Sequence, residues 1–197
     1  SFLVVHEAEP DSSGSHLRFL HYSNLQALLA STPDRTFDAP RTLSKCNEGT
    51  PSVERVALNG DLGHSTITIG FHYNSDCNTG LDRQATGTLT NFSSWSAQVA
   101  RDRDDALSAA GAPGKHGDRD WLPTGSAGFG LFEAQISSNP NDWTSWRVFL
   151  WDASNGTARR LDVKTDRGSV AFANPTFTLL PAPNGQQALV ATYFLPS

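Results

Sequence analysis

The chain has 197 residues and a hydrophobic content of 38%, enough for one domain around one core. Its net charge is −5 and its lysines are three, Lys45, Lys115 and Lys164, so it lacks the basic footprint of a nucleic-acid binder and suits no anionic membrane surface. No apolar run approaches the roughly 18 residues needed to span a bilayer.

Phe2–Val5 opens as a short apolar strand, and Leu17–Tyr22 is a second. Ser23 is placed to cap a brief helix over Asn24–Ala30, with Leu25, Leu28 and Leu29 on one side and Pro33 beyond its end. Residues 31–52 hold three prolines and few large apolar groups, and read as a long loop. Val53–Leu58 and Ser65–Tyr73 flank the turn signal Asn59-Gly60 and form an expected hairpin. In the second of these, Ile67, Ile69, Phe71 and Tyr73 alternate with Thr66, Thr68, Gly70 and His72, the period of a half-buried strand. Gln84–Phe92 is a Thr-rich strand. Trp95, Val99, Ala106 and Ala110 then recur at helical spacing before Gly111 and Pro113, which predicts a helix over 94–110. Residues 111–130 read as a second long loop. Five short β-prone runs follow: Trp146–Asp152, Arg159–Lys164, Ser169–Ala173, Thr176–Leu180 and Ala188–Leu195. Turn signals at about every 8–12 residues point to a mainly β fold. The expectation is a single domain over 1–197, an antiparallel β-sandwich or jelly-roll-like domain with one or two short helices.

Cys46 and Cys77 are the two cysteines, and neither a Cys-x-x-Cys redox spacing nor a complete zinc set is present. They are expected to form one structural disulfide tying the 31–52 loop to the end of the best strand. With the absence of methionine, even at position 1, and the sequons at Asn91 and Asn155, the pair favours a secreted glycoprotein that has lost its start. Around Cys77, Asn74, Asp76, Asn78 and Asp82 set oxygen donors at alternating positions, a partial match to a Ca2+ loop. Thr79 stands where such a loop wants glycine. The alternative is a polar hairpin turn whose Asn and Asp side chains bond their own backbone.

Acid–base chemistry has three candidate sources. His6, His16 and His21 lie near Glu7 and Glu9, without a metal-binding spacing. The segment Lys115–Trp121 offers His116, Asp118 and Asp120 as base, orienting carboxylate and acid of a hydrolase. Glu133 is the one glutamate of the second half, a possible second carboxylate with Asp152 or Asp162. The plain alternative for each is a solvated polar surface. No Gly-x-Ser-x-Gly elbow or phosphate loop occurs.

Trp143, Trp146, Phe149 and Trp151 crowd together. With Trp146, Val148 and Leu150 turned to the core, Phe149 and Trp151 face outward beside Arg147, a surface suited to stacking on sugar rings. In the alternative, the strand is covered on both faces, the second by the 94–110 segment. Two functional classes follow. The first is a secreted lectin-like protein that binds a glycan or other small ligand through Phe149, Trp151, Trp143 and His72. The second is a secreted hydrolase of a polysaccharide or other polymer, working through His116, Asp118, Asp120 and Glu133.

Overall fold

The computed structural model describes residues 1–9, 14–124 and 127–195. The chain is mainly β: 54% of it is strand, in antiparallel sheets, with two helices.

The strands fall into four consecutive sheets, and every pairing joins neighbours in the sequence. The first sheet holds β1 (Phe2–Ala8), β2 (His16–Tyr22) and β3 (Arg35–Asp38). The second holds β4 (Glu48–Leu58), β5 (Ser65–Asp76), β6 (Leu81–Thr90) and β7 (Ser94–Val99). The third holds β8 (His116–Thr124), β9 (Ala127–Gln135), β10 (Trp146–Asp152) and β11 (Thr157–Arg160). The last holds β12 (Ala173–Pro181) and β13 (Gln187–Phe194). Helix α1 (Leu25–Leu29) follows β2, and α2 (Arg101–Ala109) joins the second sheet to the third. The sheets meet through their leading strands: β1 lies against β4, β4 against β8, and β8 against β12.

Three apolar clusters hold this arrangement. Leu17 and Phe19 of the first sheet pack on Ile67, Ile69 and Phe71 of the second, all essentially inaccessible to water. Leu107 of α2 closes over Phe132, Ala134, Phe149 and Trp151 on one face of the third sheet. On its other face, Leu131 and Val148 meet Phe172 and Phe177. Each fully buried Ile, Leu or Phe contributes roughly 1.5–3 kcal/mol over its exposed state.

The hairpin Val53–Leu58/Ser65–Tyr73 forms as expected, as part of β4 and β5. Other boundaries move. The 31–52 loop contains β3 and the start of β4, and the 111–130 loop contains β8 and the start of β9. Asn24, not Ser23, caps α1, its Oδ1 accepting the Ala27 amide at 2.9 Å. The helix expected over 94–110 is a strand followed by a helix. Trp95, Ala97 and Val99 pack on the first core while Ser94, Ser96 and Gln98 face water, and a four-residue spacing such as Trp95 to Val99 fits both periods. Arg159–Lys164 is strand only to Arg160, and Ser169–Ala173 is strand only at Ala173.

Candidate functional site

Three strand irregularities position the site. Register shifts interrupt β4 between Gly49 and Ser52, β8 between His116 and Arg119, and β12 between Ala173 and Thr176. Each strand is the leading strand of its sheet, and the three stand side by side, so the irregularities fall together. They line one groove of about 530 Å³ built from Thr50, Pro51, Ser52, Val53, Asp118, Arg119, Asp120, Asn174, Pro175 and Thr176. Bulges re-aim side chains and expose backbone where a strand would otherwise present a regular ladder. Thr50 and Asn174 take positive φ values of 49° and 47°, a conformation costing about 1–3 kcal/mol that the surrounding contacts must hold.

Those contacts are polar. The Thr50 amide donates to Glu7 Oε2 at 3.0 Å, and a Cβ at Gly49 would overlap that same oxygen. The Asn174 amide donates to Glu133 Oε2. Glu133 comes from β9, opposite the β8 bulge, and is 6% exposed. Burial pushes its carboxyl up to about 7, the charge of Asp118 adds to the rise, and the amides of Asn174 and Asp118 partly offset it. Burial likewise raises the Asp118 carboxyl, against the pull of His72, Thr50 and Arg119.

His72 lies beneath Thr50. Its Nε2 is 2.7 Å from Thr50 Oγ1 and 3.5 Å from Asp118 Oδ1, and its Nδ1 is 3.2 Å from Asp82 Oδ1. Burial disfavours the imidazolium, yet the Asp82 and Asp118 carboxylates outweigh it and the His72 pKa is raised. Titratable side chains therefore run from Asp82 through His72 to Asp118, which lines the groove and neighbours Glu133.

Of the four residues offered for hydrolysis, Asp118 and Glu133 are brought together. Asp120 borders the groove, but its oxygens accept from the Trp121 and Phe177 amides at 2.8 and 2.9 Å, tying β8 to β12. His116 is elsewhere. It is fully buried under α2, with Nδ1 2.6 Å from Asp104 Oδ1 and Nε2 2.8 Å from the Ala112 carbonyl, so both ring nitrogens are engaged in structure. The segment 116–121 is thus a buried strand, not a solvated loop. Asp152 and Asp162 lie outside the groove lining; Asp152 holds the turn at Ser154 and Asn155.

The outward aromatic face is closed. Phe149 is fully buried and Trp151 nearly so, both under α2, and the Arg103 guanidinium sits 5.0 Å from the Trp151 ring. The strand covered on both faces is the arrangement adopted. Trp143 is 63% exposed, in the turn before β10, with its ring 6.5 Å from that of Trp146. The donors of the Cys77 loop are engaged with one another: Asp76 accepts from the Asn78 amide and the Thr79 hydroxyl, and Asn74 bonds Asn47 and Asp82. That is the hairpin-turn alternative to a Ca2+ loop. Among the described residues, no three His, Cys, Asp or Glu side chains gather as a metal set. His16 and His21 pair with Asp38 and Asp34 of the neighbouring strand region. Cys46 and Cys77 are joined as a disulfide, and Asn91 and Asn155 are exposed on turns.

Thr50 and Asn174 had no place in the sequence reading of the site, and Glu7 entered it only beside the N-terminal histidines. Their signal was a Gly, Pro or Asn inside a β-prone run, in Glu48-Gly-Thr-Pro51, His116-Gly-Asp118 and Ala173-Asn-Pro-Thr176.

No protein-family model matches the chain, and no curated protein matches it. Among solved structures, the chain is similar to a mutant of Trypanosoma rangeli sialidase displaying trans-sialidase activity, at a TM-score of 0.38 and 12% identity, over 96% of this chain and 24% of that one. The chain spans about a quarter of that protein's length. A likeness at this score carries no argument about function.

Proposed function

We propose that the groove between β4, β8 and β12 binds a hydroxyl-rich ligand of the carbohydrate class, in a protein that works outside the cell. The observation that carries this reading is the convergence of three bulges from three leading strands on one polar groove. Thr50, Ser52 and Thr176 offer hydroxyls, Asp118 an acceptor and Asn174 both donor and acceptor, while Pro51, Val53 and Pro175 offer apolar surface to C–H faces. Secretion is supported by the Cys46–Cys77 disulfide and by the exposed sequons, which we take to be glycosylated. Calorimetric titration with neutral oligosaccharides is the test. Binding is expected for the wild type and loss for Asp118→Asn. Equal affinity in the two proteins would remove the groove from consideration.

Hydrolysis of the bound polymer is a second reading, favoured by Glu133. Its buried carboxyl, pushed up to about 7, stands beside a second raised carboxyl, Asp118, a carboxyl pair of the kind general acid–base catalysis uses. Release of reducing ends from a polysaccharide by the wild type, and none by Glu133→Gln with binding retained, is the expected outcome for that reading.

A further inference from the structure

Thr50 carries more than a hydroxyl for a ligand to touch. It is a β-branched residue at a φ of 49°, a backbone state such side chains rarely take, inside the bulge of β4. It is half-buried and lines the groove. Its Oγ1 is 2.7 Å from Nε2 of His72 on β5, and Nδ1 of the same ring is 3.2 Å from Oδ1 of Asp82 on β6. A hydroxyl, an imidazole and a carboxylate thus follow one another on three consecutive strands of the second sheet. Their register is set within that sheet, where Gly49 opposes His72 and Asn74 opposes Asp82.

This is the order acyl transfer needs: a nucleophile, its base, and a group that orients the base. With Nδ1–H turned to Asp82, Nε2 accepts from the Thr50 hydroxyl. The Nδ1 contact is close but not aligned as a hydrogen bond, a looseness common in sites without substrate. The plain alternative is a hydroxyl that only bridges polar neighbours. Glu7, however, holds the Thr50 amide at 3.0 Å and lies 3.5 Å from the hydroxyl, so the close partner of the hydroxyl is the imidazole. Asp118, 3.5 Å from Nε2, is placed to favour the imidazolium that forms when the proton moves.

We propose that Thr50 as nucleophile, His72 as base and Asp82 as the positioning carboxylate cleave carboxylic esters, with O-acyl groups on a hydroxyl-rich ligand as the substrate class. The ligand class rests on the groove reading above, and the three-residue set does not. Oγ1 bonds to the ester carbonyl carbon as His72 Nε2 takes its proton. The C–O bond to the alcohol then breaks, the alcohol leaves with the proton from Nε2, and the acyl group stays on Thr50. Water attacks the acyl-threonine in the same way, releasing the carboxylic acid and restoring the hydroxyl. Pro51 has no amide hydrogen to offer the oxyanion, and Asn174, which lines the same groove, carries a carboxamide donor of the suitable kind. The carboxylates of Asp118 and Glu7 disfavour phosphate and sulfate esters. A hydroxyl is a weak attacker before activation, which suits an ester better than an amide.

The test uses the full, disulfide-intact chain with p-nitrophenyl acetate, an O-acetylated oligosaccharide and a fluorophosphonate that labels activated hydroxyls. The wild type is expected to release acetate from both esters and to carry the label on Thr50, located by peptide mass mapping. Thr50→Ser is expected to keep labelling and turnover. Thr50→Val, which preserves the branched shape, is expected to lose the label and to lower kcat by about a hundredfold or more, with the wild-type circular dichroism. Asp82→Asn is expected to lower kcat and leave KM unchanged. A Thr50→Val variant that turns over like the wild type overturns the proposal, as does a label on another residue or a wild type that cleaves neither ester. Binding of the de-acetylated oligosaccharide separates the two readings. Binding without ester cleavage overturns this proposal and leaves the groove reading standing. Cleavage of the aryl ester with Thr50 labelled, but no sugar bound, supports the three-residue set and overturns the ligand class.

Discussion

The carboxylate of Glu133 lies over Gly117, so close that a Cβ at position 117 would overlap Oε1. The glycine is what lets a side chain from β9 reach the bulge of β8 and take the Asn174 amide from β12. Gly117→Ala should therefore displace a buried, hydrogen-bonded carboxyl and cost about 1–3 kcal/mol in urea denaturation. Adding Glu133→Ala should recover part of that loss, because the two changes act on one contact. Additive losses would mean that the glycine serves some other purpose.

Glu133 also fixes the sign of a pH effect. Its carboxyl titrates at about 7 in the folded chain and near the ordinary glutamate value of 4.5 when unfolded. Below about pH 4 both states hold the proton. As pH rises toward 7 the unfolded chain releases it first, so stability falls, by up to about 3 kcal/mol. Glu133→Gln should flatten this profile, gaining on the wild type at about pH 8 and not at about pH 4. Parallel profiles of the two proteins would refute the assignment.

Two buried arginines, Arg103 of α2 and Arg119 of β8, lie near one carboxylate, Glu54. Arg103 makes a two-pronged pair with Glu54 at 2.6 and 3.0 Å, while Nε and Nη2 of Arg119 find no hydrogen-bond partner among the described residues. Burial and the nearby Arg103 charge bring the Arg119 pKa down to about 9. Removing the carboxylate leaves two buried cations facing each other, whereas removing Arg103 frees Glu54 for Arg119. Glu54→Ala should thus cost about 3–5 kcal/mol in chemical denaturation and Arg103→Met distinctly less. The reverse order would show that Glu54 belongs to Arg103 alone.

Reduction of the disulfide opens a closed loop with a sequence separation of 31. By chain entropy, Cys46→Ser with Cys77→Ser should lower stability by about 3–4 kcal/mol, read as a shift in the denaturant midpoint. The Asn47–Asn74 bond at 2.7 Å lies beside the bridge, so the reduced chain should keep its strand pairing below the new midpoint.

Period-2 alternation is legible where one face is buried and the other wet, and Ser65–Tyr73 was recognisable for that reason. It fails where charged residues are buried by partners distant in sequence. His116, Asp118 and Asp120 look like a solvated loop until Asp104, Glu133 and Phe177 are placed beside them. The aromatic run Trp146–Trp151 was legible as a strand, but its exposure depended on where α2 would lie. Asp118 and Glu133 could be named as candidates from residue type. Their meeting depends on one extra residue in β8, which register alone reveals.

Because every sheet is a meander of consecutive strands, almost all of the pairing is local along the chain. A chain delivered from its N-terminus can complete each sheet before the next arrives, without waiting for a distant partner strand. Only the seams between leading strands need segments made at different times. The groove forms at two of those seams, so it waits on β12: that strand must dock before Glu133 and Asp118 acquire the surroundings that set their proton affinities.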